Sequence, residues 1–170
     1  MIRLATLETF EEPLLKELMK SLYTAFGVGC ELVGPLDMPA GLKAPLDAQA
    51  FLGAPPPVKM FPDDKVLYLT SWPLKIRPSA VGPIPTFGLA QYRGPRALLS
   101  TAMVKNPLEQ FKVVSRHALQ ELGHTWGLHH CLDPRCAMYV QWVPGYPAGE
   151  PIFCVYCREK SEAVIRLAKS

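Results

Sequence analysis

The 170-residue sequence has no long hydrophobic run, no cluster of basic residues and almost no asparagine. No stretch approaches the roughly 18 uninterrupted apolar residues that cross a bilayer, and the opening MIRLATLETFEE lacks the basic and apolar regions of a secretory leader. We therefore expect a cytoplasmic protein that contacts no membrane. Because the net charge is only +3 and the basic residues are scattered, we also expect no nucleic-acid partner.

The composition places the chain among globular proteins and suggests a hot habitat. Apolar residues make up 49% of the chain, which is enough for a packed core and excludes disorder of the bulk. The length predicts a single domain over residues 1–170. Asn106 is the one asparagine beside 18 prolines, a bias that limits unfolded-state entropy and heat-labile amides, so we expect a thermophilic source.

Hydrophobic periodicity predicts an α/β arrangement in the first hundred residues. Apolar residues at helical spacing predict a helix over 11–26, ended by Gly27. Two proline-rich segments predict surface loops, 34–62 around a short helix near 48–52, and 73–85. The strands are expected at 2–6, 30–33 and 65–70, with a hairpin-like pair, 86–92 and 97–104, at the edge of a mixed sheet.

A second helix is predicted over 107–126. Asn106 is expected to cap it, with proline in the first turn and Glu109 as the capping-box partner, and Gly127 is expected to end it. A short terminal helix is predicted over 159–168. The buried side of the second helix is expected to comprise Phe111, Val114, Ala118, Leu119 and Leu122.

The informative segment, QELGHTWGLHHC, covers residues 120–131. Positions 120 and 124 are one helical turn apart, so two ligands there could share an ion while Glu121 lies near enough to polarise its water. A helix that breaks at Gly127 allows His130 to supply a third ligand. The spacing QExxHxxGxxH thus differs from the hydrolytic zinc pattern HExxHxxGxxH at Gln120 alone.

The cysteines form a second constellation. Cys30 stands alone and is expected to be a small apolar residue of the core. The other four form two close pairs, a spacing that suits a closed tetrahedral zinc site in a reducing compartment. They are Cys131, Cys136, Cys154 and Cys157.

Residues 120–157, with Met138 two positions after the second cysteine, resemble the extended motif of the archaemetzincins, small zinc metallopeptidases of the metzincin group. The resemblance implies a single compact metzincin-like domain with a mixed twisted sheet, an active-site helix and a zinc-stapled C-terminal subregion. It implies hydrolysis of peptide or protein substrates by a zinc-activated water, with Glu121 as general base. His124 and His130 would be ligands of the catalytic zinc, and Met138 the methionine of the turn beneath it. The four clustered cysteines would hold the structural zinc, and the strand near 87–92 would form the cleft rim where a peptide adds as a strand.

Gln120 makes the catalytic zinc doubtful, because an amide oxygen is a weaker zinc donor than imidazole. His117 is no substitute, since seven residues of helix separate it from His124 by roughly 10 Å; it is expected to be a polar helix residue able to bond Glu121. His129 is expected to face solvent or to donate a hydrogen bond to a metal ligand.

Three interpretations of the whole therefore remain. The first is a peptidase with weakened catalytic zinc, and the second is an inactive, zinc-stapled peptide-binding protein. A zinc-ribbon nucleic-acid module is disfavoured because no basic patch surrounds the cysteines. The glutamine could be natural or introduced to trap an inactive protein, and we expect a monomer.

Overall fold

The computed structural model of the chain describes residues 1–78, 82–106, 109–140 and 151–169. It has eight strands and four helices in these ranges. The strands are β1 (Ile2–Thr6), β2 (Cys30–Val33), β3 (Leu46–Asp47), β4 (Lys65–Thr70), β5 (Leu74–Ile76), β6 (Ile84–Thr86), β7 (Gly88–Ala90) and β8 (Arg96–Ser100). The helices are α1 (Glu12–Phe26), α2 (Ala48–Gly53), α3 (Gln110–Thr125) and α4 (Val155–Lys169).

A five-stranded mixed sheet forms the centre, in the order β2-β1-β4-β8-β7. The first four strands pair in parallel, and β7 pairs antiparallel with β8 at the edge, as the hairpin pattern predicts. Alternate residues of the strands enter two separate hydrophobic clusters, one on each face of the sheet. Helices α1, α3 and α4 contribute to one cluster, and α2 to the other.

Local sequence explains the helix ends. A proline lies in the first turn of α1, and Gly27 ends that helix in the left-handed conformation at φ 63°, with its N–H donating to the Tyr23 carbonyl oxygen at 2.8 Å. Gly127 adopts φ 80° directly after α3, as expected of a residue that turns the chain back. This reversal brings residues 128–131 beside the last turn of α3, where Leu128 N–H donates to the Gly123 carbonyl oxygen at 2.9 Å.

Several sequence-based expectations were wrong in detail. The segment predicted as a loop over 73–85 contains β5 and the start of β6, which join β3 in a separate three-stranded sheet. Helix α3 begins later than predicted, at Gln110, and Glu109 precedes it without a side-chain cap; the expected Pro107 turn lies outside the described residues. Phe111 therefore lies in the first turn and is 37% exposed, while the buried stripe begins at Val114. The terminal helix α4 begins four residues before position 159.

Aromatic packing fastens the C-terminal part to the core. The Phe26 ring lies 4.4 Å from that of Trp126 and 5.2 Å, edge to face, from that of Phe153. One aromatic cluster thus joins the end of α1, the end of α3 and the segment before α4. In the described ranges, no helix has the length and apolar content needed to cross a membrane.

Candidate metal and active site

The last turn of α3 and the chain reversal after it bring two predicted ligands together. The imidazole rings of His124 and His130 lie 4.8 Å apart, nearly perpendicular at 86°. His124 Nδ1 donates to the Leu128 carbonyl oxygen at 2.9 Å, which leaves the Nε2 lone pair free for a metal. Burial lowers the pKa of both histidines, and the neutral form is the one that binds a cation.

Glu121 lies beside the edge strand of the sheet. A Cβ added at Gly88 of β7 would meet Glu121 Cγ at 2.9 Å and Cδ at 3.1 Å, so the bare glycine makes room for this side chain. Burial raises the pKa of the Glu121 carboxyl to about 8. Sequence analysis did not single out Gly88, because the contact joins residues 33 positions apart and only the strand pairing reveals it.

The Gln120 side chain lies near another polar side chain of its own helix. That neighbour is His117, three residues earlier, whose ring stacks on Phe87 at 4.1 Å and 10°. Burial, then the nearby Arg116 charge, lowers the pKa of His117 to about 4, so this imidazole is neutral at physiological pH. The structure records no hydrogen bond between His117 and Glu121, which the sequence had allowed, and the His117 ring packs against Phe87 instead.

His129 is exposed and contacts the turn after β7. The Tyr92 hydroxyl lies 2.9 Å from His129 Nε2 and donates to the Gly127 carbonyl oxygen at 3.1 Å. The Arg93 N–H in the same turn donates to the His124 carbonyl oxygen at 3.0 Å. The edge hairpin is thereby attached to the end of α3, close to the paired histidines.

The four clustered cysteines converge as their spacing predicts. Their sulfur atoms all lie within 4.8 Å of one another, and Sγ of Cys131 and Cys154 are 3.7 Å apart. Four sulfurs at about 2.3 Å from a zinc ion in a tetrahedron are separated by about 3.8 Å, so the donor set fits zinc. The backbone N–H of Asp133 and that of Cys154 each donate to a sulfur at 3.4 Å, onto Cys131 and Cys136 respectively. Such bonds stabilise thiolates.

Met138 connects the cysteine cluster to α3. It is fully buried, and a Cβ at Gly123 would lie 2.6 Å from Met138 Sδ. Cys131 N–H donates to the Met138 carbonyl oxygen at 2.9 Å, which closes the loop that carries two of the cysteines. The predicted turn methionine therefore packs beneath the helix that bears Glu121 and His124.

The fit of a metal differs between the two sites. Among the described residues, the cysteine quartet is the sole group in which three or more histidine, cysteine or acidic side chains converge on one point. The histidine site offers two imidazoles and, at the position of a third, the side-chain amide of Gln120. The quartet fits zinc completely and the histidine site in part.

Comparison with known proteins gives relatives of one kind. An archaemetzincin of Methanopyrus kandleri is 35% identical over 99 residues, which are 56% of this chain and 54% of that protein. An archaemetzincin of Pyrobaculum aerophilum is 32% identical over 80 residues, 46% of this chain and 51% of that protein. The matches thus span about half the length of these curated relatives. No family model matches the chain.

A solved structure extends the similarity to the whole fold. The crystal structure of the Methanopyrus kandleri archaemetzincin superimposes with a TM-score of 0.79, covering 97% of this chain and 94% of that one at 22% identity. The resemblance predicted from residues 120–157 is confirmed, and so is the mixed α/β fold class.

Proposed function

We propose, from the homology of this chain to the archaemetzincins and the fold that they share, that it is a zinc-dependent peptidase scaffold with two unequal metal sites. The four cysteines hold a structural zinc, and His124 and His130 hold a second zinc weakly because Gln120 stands where a third imidazole belongs. The whole chain forms one domain. The observation that carries the proposal is the convergence of His124 and His130 at the end of α3, the helix that also bears Glu121.

The residues around the histidines suit peptide hydrolysis. When bound there, zinc supplies a Lewis acid that polarises the peptide carbonyl and activates water. Glu121 accepts the proton of that water and passes it to the leaving amine. Desolvation of Glu121 favours its neutral acid form, whereas the positive charge of a bound zinc favours the carboxylate. Glu121 is therefore ionised and able to act as a base when zinc is bound, and protonated when it is not.

The edge of the sheet supplies a place for the substrate. In the part of the chain that the structure describes, strand β7 pairs with β8 alone and forms the edge of the sheet. An extended peptide can pair with such an edge by main-chain hydrogen bonds. Because Glu121 lies against Gly88 in the same strand, a peptide paired there runs past the proposed base.

A peptide-binding protein without catalysis is the second candidate. The observation in its favour is that only two imidazoles converge at the histidine site, with no third histidine, cysteine or acidic side chain joining them among the described residues. The two candidates share the cleft and the structural zinc, and they differ in turnover.

Replacing Gln120 by histidine tests the proposal. Gln120→His supplies an imidazole one turn before His124, and we expect a second, nitrogen-bound zinc and new peptidase activity. Adding Glu121→Ala should abolish that activity. Gln110→His, the same exchange ten residues earlier in the helix and about 15 Å away, is the matched control and should change neither.

The assay compares these variants on a mixed peptide pool with zinc supplied, by mass spectrometry of the products and by X-ray absorption at the zinc edge. The parent should hold about one sulfur-bound zinc per chain. If Gln120→His binds a second zinc yet cleaves nothing beyond the parent's products, the peptide-binding candidate is favoured. If the parent already cleaves peptides in a Glu121-dependent manner, glutamine is a competent zinc ligand and the hypothesis of a weakened zinc site is wrong.

A further inference from the structure

Arg116 is a buried cation in α3 that the proposed chemistry does not use. It is 3% exposed, and its Nη2 donates to the Tyr139 carbonyl oxygen at 2.7 Å. Its Nε has no hydrogen-bond partner. Within residues 1–78, 82–106, 109–140 and 151–169, no aspartate or glutamate forms an ion pair with it. Burying a guanidinium is costly, and a nearby negative charge offsets that cost.

Among the described residues, the cysteine site is the group that can supply this negative charge. Burial lowers the pKa of Arg116, and the charge of Cys136 is the influence that opposes this. Four protonated thiols carry no charge. Once a divalent cation replaces their four protons, the site has a net charge of −2. The loaded quartet therefore provides a negative charge on the side of the loop that Arg116 contacts.

The same guanidinium touches the loop that holds two of the ligands. Tyr139, which accepts the bond from Arg116, donates its own N–H to the Cys136 carbonyl oxygen at 3.0 Å and pairs with Cys131 in a β-bridge. Arg116 thus holds the C-terminal end of the loop against α3, one turn before Gln120. Further along α3, Met138 of the same loop packs against Gly123.

We infer that Arg116 is the buried counter-charge of the metal-loaded cysteine site and fastens that site to the helix carrying Glu121 and His124. The inference rests on the structural zinc of the proposed function. Its consequence is that zinc affinity at the cysteines depends on the charge at position 116 in addition to the four thiols.

Two substitutions separate charge from hydrogen bonding. Arg116→Gln keeps an N–H donor for the Tyr139 carbonyl and removes the charge, whereas Arg116→Lys keeps both a donor and the charge. Arg135→Gln is the matched control, because Arg135 lies in the same loop, is 85% exposed and pairs with Asp133 at 3.2 Å. Arg135→Gln removes the same charge from a solvent-exposed position, where screening by water and salt leaves it little effect on zinc affinity.

The measurement is competition for zinc between the reduced, full-length chain and a chromophoric chelator at fixed pH and salt. We expect Arg116→Gln to bind zinc about 10- to 100-fold more weakly than the parent, which is the usual effect of losing a group that supports metal ligands. Arg116→Lys should stay within about 5-fold and Arg135→Gln within about 3-fold. If Arg116→Gln folds only with metal, the zinc concentration at its folding midpoint gives the same comparison.

The outcomes separate the inference from the proposed function. A parent chain that takes up no sulfur-bound zinc overturns both. A parent that binds zinc, with Arg116→Gln binding equally well, overturns the inference alone. Equal losses in Arg116→Gln and Arg116→Lys would assign Arg116 to packing, and an equal loss in Arg135→Gln would show a general charge effect; either result also overturns it.

Discussion

Glu121→Gln should stabilise the protein at neutral pH when the histidine site holds no metal. The parent side chain is half-buried, and desolvation raises the pKa of its carboxyl from 4.5 to about 8 on folding. Glutamine has nearly the same shape and does not ionise. The substitution therefore removes the cost of keeping Glu121 protonated in the folded state while it is ionised in the unfolded chain.

The sign and size follow from proton linkage. Between the unfolded pKa near 4.5 and the folded pKa near 8, the folded parent binds the extra proton, so its stability falls as pH rises. At about 1.4 kcal/mol per pH unit, the interval from pH 5 to pH 7.5 costs the parent roughly 3 kcal/mol. The advantage of Glu121→Gln over the parent should grow by about that amount across the interval.

Urea unfolding at pH 5 and pH 7.5 measures this difference, after dialysis against a weak chelator that empties the histidine site. Other titrating groups are common to both proteins and cancel in the comparison. Glu12→Gln is the control: Glu12 is exposed, and Lys16 lowers its pKa below 4.5, so its effect should be the same at both pH values. Parallel changes of parent and Glu121→Gln with pH would refute the assigned burial of Glu121.

Two further predictions concern stability. Cys154→Ser should lower the free energy of unfolding by several kcal/mol, because structural zinc contributes about 10–16 kcal/mol to folding. Cys30→Ser should cost about 1 kcal/mol. Equal melting temperatures of these two variants would contradict a structural four-cysteine site. Gly88→Ala should destabilise the protein by about 1–3 kcal/mol and reduce any Glu121-dependent activity, because its Cβ would lie 2.6 Å from the Leu98 carbonyl oxygen. Gly53→Ala is the control: its Cβ has nothing within 4 Å, so it should change stability by no more than about 0.5 kcal/mol in the same melting and turnover assays.

The elements that sequence predicted well are those whose signals are local. Helix α1 has a proline at one end, Gly27 at the other and an unbroken apolar stripe between them. The spacing of the candidate metal ligands in residues 120–157 is likewise a local pattern, and its resemblance to a known motif indicates what the residues do. Strand β3, of two residues, and β5 and β6, of three, are too short for alternation to be visible. Their pairing joins segments separated by prolines, so only tertiary contacts define them.

The contacts that sequence could not predict are those between distant elements. Arg116 appears in the sequence as one scattered basic residue, and its burial becomes visible only when Tyr139 is placed beside it. Gly88 appears as an ordinary strand glycine until Glu121 is packed over it. In both cases the residue type is uninformative alone, and its meaning depends on a partner tens of positions away.

These distant contacts also explain why the histidine site keeps its shape with glutamine at position 120. The Leu128 carbonyl orients His124, and the chain reversal at Gly127 positions His130. Met138 supports the helix from below at Gly123. None of these contacts involves the side chain at position 120. The positions of the two histidines are therefore maintained by packing, whereas the affinity of the proposed metal site depends on its ligands, so we expect a substitution at position 120 to change affinity without rebuilding the cleft.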